Sequence, residues 1–227
     1  MKKKIVLTLL LAAFVVGGAF AQIGMSIGGG AFFDFSGNNG VKYTGDNKDF
    51  DGYYTGIRNL SIGAFGFFDV TYAELSVNFA YGSLSPAVSG KYMGETLKLS
   101  KEEEDIKTSV MQFGFSVLGK YPINMEGVTI FPMLGVDYNI VLSGKSKYKD
   151  EEETMKSPGD YSQFGFLGGI GADINISGPL FVRLEGLLHM RLPSKVMKDS
   201  IKGEMKNDLK ATWGIGPQIK VAIGYKF

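Results

Sequence analysis

The chain contains no cysteine, one histidine and one tryptophan in 227 residues. Without cysteine there is no disulfide-stapled scaffold, no thiolate metal site and no lipid anchor on an N-terminal cysteine. Proline is scarce at 7 and the 32 glycines follow no period of three, which excludes a collagen-like chain. Lys and Arg (24) nearly balance Asp and Glu (23), so no basic excess exists to hold a nucleic acid. No G-x-S-x-G, H-E-x-x-H or phosphate-loop pattern occurs. His189, the only histidine, is the one residue around which a hydrolytic centre is conceivable, and a histidine in a polar network is the simpler reading. Neither an enzyme nor a metal or cofactor site is expected. Glycine, by contrast, is about twice its usual share of roughly 7%, and 17 Phe and 11 Tyr accompany it.

Residues 1–21, MKKKIVLTLLLAAFVVGGAFA, run from three lysines through an apolar stretch to Ala19-Phe20-Ala21. That order is a secretory signal peptide, with cleavage expected after Ala21 and a mature domain of 22–227. No later apolar run approaches 18 residues, so no transmembrane helix is expected and any membrane crossing falls to strands.

Period-two alternation is the dominant pattern. From Trp213 the odd positions, Ile215, Pro217, Ile219, Val221, Ile223, Tyr225 and Phe227, are apolar, and the even ones are small or polar. The same alternation marks 22–35, 58–69, 71–82, 108–121, 129–142, 161–176 and 180–192, giving eight strands. The connections alternate in length. Long polar segments occupy 36–57, 83–107, 143–160 and 193–208. Tight links stand at Asp69-Val70, 122–127 and 177–179. An antiparallel meander with both chain ends on the short-turn side follows. Charge obeys the same plan, with 31 of the 44 charged residues of the mature chain lying in the long segments or at their borders.

Alternation alone does not say which face is outside, since a lipocalin-like barrel hides its apolar face. The polar face decides it. Many glycines, with Glu74, Lys120, Asp137, Asp173, Arg183, Glu185 and Lys220 of both signs, make a poor water-facing surface and suit the narrow interior of an eight-stranded barrel as an ion-pair network. Aromatics gather near strand ends: Tyr121, Phe181, Tyr225 and Phe227 toward the short turns, and Phe33, Tyr81, Tyr138, Tyr161 and Trp213 toward the long segments. Two interfacial girdles are expected. The fold class is therefore all-β, an eight-stranded antiparallel transmembrane up-and-down β-barrel with short periplasmic turns and four long extracellular loops.

The A-F-A signal end, the eight strands, the long loops and the final GIGPQIKVAIGYKF resemble the small bacterial outer-membrane β-barrel proteins of the OmpA, OmpX and OmpW types, over the whole mature chain. The resemblance implies that Ile223, Tyr225 and Phe227 form the signal read by the barrel-assembly machinery, and that outer-membrane lipids surround a monomer. It leaves activity open, because such barrels include tethers, adhesins, resistance factors and narrow channels. The tethering, peptidoglycan-binding domain of the OmpA type is not expected.

Two acidic runs, 101–105 and 149–153, read as solvated loop charge rather than cation sites, since neither has the ligand spacing of a calcium loop. Two functions remain. One is a structural or surface-interaction protein whose loops meet an envelope or host component. The other is a narrow passive channel or lateral-exit conduit for small hydrophobic compounds, for which Phe65, Phe67, Phe131, Met133 and Leu167 supply an apolar patch in the lumen. A filled interior favours the first and a continuous opening the second.

Overall fold

The computed structural model describes residues 24–97, 107–148, 151–201 and 208–227. Eight long strands dominate: β1 (Met25–Tyr43), β2 (Phe50–Val70), β3 (Ala73–Tyr92), β4 (Lys107–Lys120), β5 (Val128–Tyr148), β6 (Gln163–Ser177), β7 (Leu180–Arg191) and β8 (Gly214–Lys226). Each pairs antiparallel with its sequence neighbours, and β1 pairs with both β2 and β8, closing an up-and-down ring. The seam runs from Ser26↔Lys226 to Gly37↔Ile215. Closure leaves the barrel wall with no open edge, the condition for burying a sheet in hydrocarbon.

Both described chain ends lie at the short-turn end, where the Phe227 N–H donates to the Met25 carbonyl (2.9 Å) and the Gly24 N–H to Thr71 Oγ1 (3.0 Å). The turns there are tight. Val70↔Ala73 closes β2 to β3 through Thr71 and Tyr72, and Gly178, at φ 54, lets β6 reverse into β7. Asp69 thus lies on the strand with its side chain inward, not in the turn where the sequence reading put it.

The opposite end differs more from the sequence reading. Segments 36–57, 83–107 and 143–160 are not loops throughout. β1 and β2 stay paired to Lys42↔Tyr54, β2 and β3 to Phe50↔Tyr92, and the end of β5 folds back on Glu151–Thr154. Strands of 19 to 21 residues exceed the roughly 10 needed to cross a bilayer, so β1, β2, β3 and β5 rise beyond the apolar belt as hairpins. Water on both faces removes the demand for an apolar side, which is why alternation stops there while the ladder continues. The segment after β7 also carries a short helix, α1 (Lys195–Ser200), N-capped by Ser194 Oγ.

The outside is apolar. Ile27, Ile62, Val77, Phe115, Leu134, Ile170, Leu188 and Val221, one from each strand, are all exposed, whereas Arg183, Glu74, His189 and Asp34 are fully enclosed. A surface built this way is inverted with respect to water and needs an apolar solvent. Tyr72, Tyr121, Tyr225 and Phe227 ring the short-turn end, and Phe33, Tyr81 and Trp213 the other. Two expected girdle members are elsewhere. Phe181 shares the parity of Arg183 and is buried in the lumen, and Tyr161 belongs to a 3-10 turn (Pro158–Tyr161) facing the outer end of the interior.

Candidate functional site: the lumen

The interior holds two apolar clusters and two polar ones. Phe32, Phe65, Phe67, Ala80, Phe181 and Ala222 pack together, as do Leu118, Phe131, Met133, Leu167 and Leu187. Glycines make the room. A Cβ on Gly171 would collide with the Phe131 ring and one on Gly224 with the Phe181 ring, so small and large residues alternate across the cross-section. The inward Phe65, Phe67, Phe131, Met133 and Leu167 are part of this packing.

The polar cluster nearer the short turns is built on Arg183. Its Nε donates to Asp173 Oδ1 (2.7 Å), Nη1 to Glu74 Oε2 (2.8 Å), and Nη2 to Asp69 Oδ2 (2.5 Å) and Asp173 Oδ2 (2.9 Å). Its guanidinium carbon lies 4.1 Å from the Phe67 ring centre, with Phe131 and Phe181 at 5.1 and 5.3 Å. Lys120 pairs with Asp69 at 2.6 Å, and Lys220 approaches Glu185 at 3.2 Å and Glu74 at 3.9 Å. Ser26 Oγ also donates to Asp69. The fork geometry of arginine, with bonds fixed in one plane, serves three carboxylates from three strands as a lysine could not.

The second cluster lies toward the hairpin end. His189 is fully buried, with Nδ1 2.8 Å from Asp34 Oδ2 and Nε2 3.0 Å from Asp137 Oδ1. Arg191 donates to Asp34 Oδ1 and Ser36 Oγ, both at 2.9 Å, Gln218 Nε2 donates to Asp34 at 2.7 Å, and Asn139 donates to Asp137. This brace ties β1, β5, β7 and β8 across the barrel.

Of the seven lumen charges expected from sequence, Glu74, Lys120, Asp173, Arg183, Glu185 and Lys220 meet in the first cluster. Asp137 stands apart, in the second. Asp69, Arg191 and Asp34 join the clusters without being among those seven. Asp69 stood at a tight link in the sequence, Arg191 lies at the border of a long polar segment, and for Asp34 the parity with Ser26 and Gly28 was the available signal.

Among the described residues, a cavity of about 40 Å³ lies at the hairpin end, lined by Asn39, Asn59, Gln112, Asn139, Gln163 and Arg191 and roofed by Met197 of α1. A second, of about 10 Å³, lies below the brace among Phe65, Asn78, Asp137, Gln218 and Lys220. Such volumes suit one or a few waters. No group of three or more metal-ligating side chains is present among the described residues. Of the acidic runs, 101–105 and 149–150 lie outside the described residues, while Glu152 pairs with Lys145 at 2.6 Å across the β5 hairpin.

No protein-family model matches the sequence, and no curated protein sequence matches it. Among solved structures, the chain is similar to Ail, the attachment invasion locus protein of Yersinia pestis, at 14% identity over 91% of this chain and 99% of that one, with a TM-score of 0.38. It is similar to a major outer membrane protein of Thermus thermophilus at 14% identity over 91% and 100% of the two chains, TM-score 0.46. The translocator domain of the autotransporter NalP from Neisseria meningitidis matches at 10% identity over 100% and 98%, TM-score 0.31.

Proposed function

We propose that this chain is a non-enzymatic bacterial outer-membrane protein, a closed barrel that holds tall hairpins out from the cell for contact with envelope or host molecules. The observation that carries the reading is the filled, ion-paired interior beneath hairpins that rise past the apolar belt. A rigid cross-section adds stiffness to whatever its rim presents, and binding residues concentrate on loops held by such scaffolds. In this reading residues 1–21, which lie outside the described residues, are removed after Ala21, the short turns face the periplasm, and the hairpins face outward. Ile223 and Tyr225 on one face of β8, and Phe227 just past its end, are exposed, which suits the assembly-signal role inferred for them. The protein works as a monomer in lipid without a cofactor.

The test compares two outputs on protein reconstituted into vesicles and planar bilayers at neutral pH. Silence in conductance and in uptake of a small apolar dye, with binding to envelope or host components that is lost when the hairpin tips around 44–49 and 93–97 are shortened, supports the scaffold. Large stable conductance steps, or dye uptake, would replace it with the conduit.

A further inference from the structure

At the hairpin end of the lumen, seven of the eight long strands contribute to the larger cavity, which is a partly enclosed cup. Its polar lining is chiefly Asn39, Asn59, Gln112, Asn139, Gln163 and Arg191, and among the described residues no carboxylate lines it. Asn39, Asn59, Gln112 and Arg191 are each more than nine-tenths buried. Their hydrogen bonds are only partly made. Arg191 uses Nη1 on Ser36 and Nη2 on Asp34, and its Nε is buried with no partner, as is Asn39 Oδ1. Asn139 and Gln163 donate through their amide nitrogens, to Asp137 and to the Leu192 carbonyl, and keep their oxygens. Asn59 accepts from Ser61 Oγ and keeps its nitrogen. The Gln112 amide lines the cup with both its donor and its acceptor unengaged among the described residues.

This mixture of spare groups selects the ligand. A carboxylate or phosphate only accepts, and would meet the bare oxygens of Asn39, Asn139 and Gln163. An ammonium only donates, and would meet Arg191. A hydroxyl does both. Ile57, Leu84, Val110 and Val141 add apolar walls that suit the C–H groups of a sugar, and Tyr161 and Met197 stand at the outer end. The ion pair of Lys195 with Asp160 (2.9 Å) ties α1 to the 3-10 turn, so Met197 and Tyr161 are held together as a surface on which a ring can rest. The volume of about 40 Å³ has room for a hydroxymethyl arm and not for the ring itself. We infer that the cup binds the hydroxymethyl arm of a neutral hexose at the end of a glycan lying between the hairpins. This names the partner class for the proposed contact with envelope or host molecules, and it rests on that reading.

The experiment uses the mature protein in nanodiscs, with methyl glucoside and methyl galactoside as probes, beside their 6-deoxy analogues and the corresponding uronates. Saturation-transfer NMR reports contact and titration reports affinity. The expected result is binding of a hexoside, with its 6-deoxy analogue weaker by roughly tenfold or more because the hydroxyl that the cup bonds is missing. The uronate, which carries a carboxylate in place of the arm, should bind more weakly still. Gln112→Leu should weaken the hexoside by roughly tenfold or more while keeping the heat-modifiable migration of a folded barrel. Met197→Trp, on the short helix outside the strands, should block the cup, which keeps the test decisive if the leucine variant does not fold. Displacement by glycans released from host cells, or by polysaccharide from the producing bacterium, supports the cup and tells the two sources apart. Absence of hexoside binding would overturn the inference, as would equal binding of the 6-deoxy sugar, preference for the uronate, or unchanged affinity in folded Gln112→Leu. Binding in nanodiscs but not on intact cells would support the cup and overturn the outward placement of the hairpins.

Discussion

Replacing Arg183 by methionine keeps most of the side-chain length and removes the cation at the centre of the larger polar cluster. The three carboxylates it binds are not left equal. Asp69 retains Lys120 at 2.6 Å and Glu74 retains Lys220 at 3.9 Å, but among the described residues Asp173 has no second cation. An orphaned buried carboxylate relieves itself by taking a proton. From an ordinary value near 4 that costs about 1.4 kcal/mol per pH unit, or about 4 kcal/mol at pH 7, in the range of about 3–5 kcal/mol typical for breaking a buried pair from one side. Loss of the stacked cation over Phe67 adds about 0.5–2 kcal/mol. Arg183→Met should therefore lose about 4–6 kcal/mol at pH 7. The added change Asp173→Asn should restore most of it at pH 7. Urea unfolding in lipid vesicles, followed by the fluorescence of Trp213, which is stacked on Phe166 on the outer face, measures both quantities. A loss below about 1 kcal/mol at pH 7, in the range of exposed pairs, would mean that water reaches the cluster and would refute the reasoning.

Val77→Arg, on the exposed middle of β3, should cost about 2–4 kcal/mol in bilayers. The same vesicle unfolding assay checks it, and a change within about 0.5 kcal/mol, as at an ordinary wet surface, would contradict a lipid-facing wall. Leu118→Ala, in the cluster with Phe131, Met133, Leu167 and Leu187, should cost about 2–5 kcal/mol in the same assay. In the β5 hairpin the Lys145 ammonium holds the Glu152 carboxyl below its ordinary range, and Glu152 in turn raises Lys145. The pair is complete between those values. Its carboxylate contribution is lost as the pH falls through the lowered Glu152 value, and its ammonium contribution as the pH rises through the raised Lys145 value. Carboxyl ¹³C titration should show Glu152 returning upward in Lys145→Gln.

Strand parity is a local property, and the alternation from Trp213 to Phe227 was enough to assign strand, face and end of β8 without any knowledge of its neighbours. The same holds for the inward placement of Arg183, Glu185 and His189, because a side-chain period of two does not depend on what lies opposite. The even strand count and the alternation of short and long connections were equally legible, and with them the up-and-down ring. Tertiary structure decided the partners. Arg183 meets Asp69 and Glu74 from positions 114 and 109 residues away, and His189 meets Asp34 across 155. These contacts depend on the stagger of the whole ring, which bulges such as the one between Ser36 and Asn39 displace. The reach of the hairpins also had to come from the fold, since a strand wet on both faces is held by its backbone ladder and leaves no hydrophobic pattern in its side chains. Whether the glycine-lined interior is open or full was decided there too, because a glycine supplies space and only the strand facing it, as Phe131 over Gly171, determines what occupies that space.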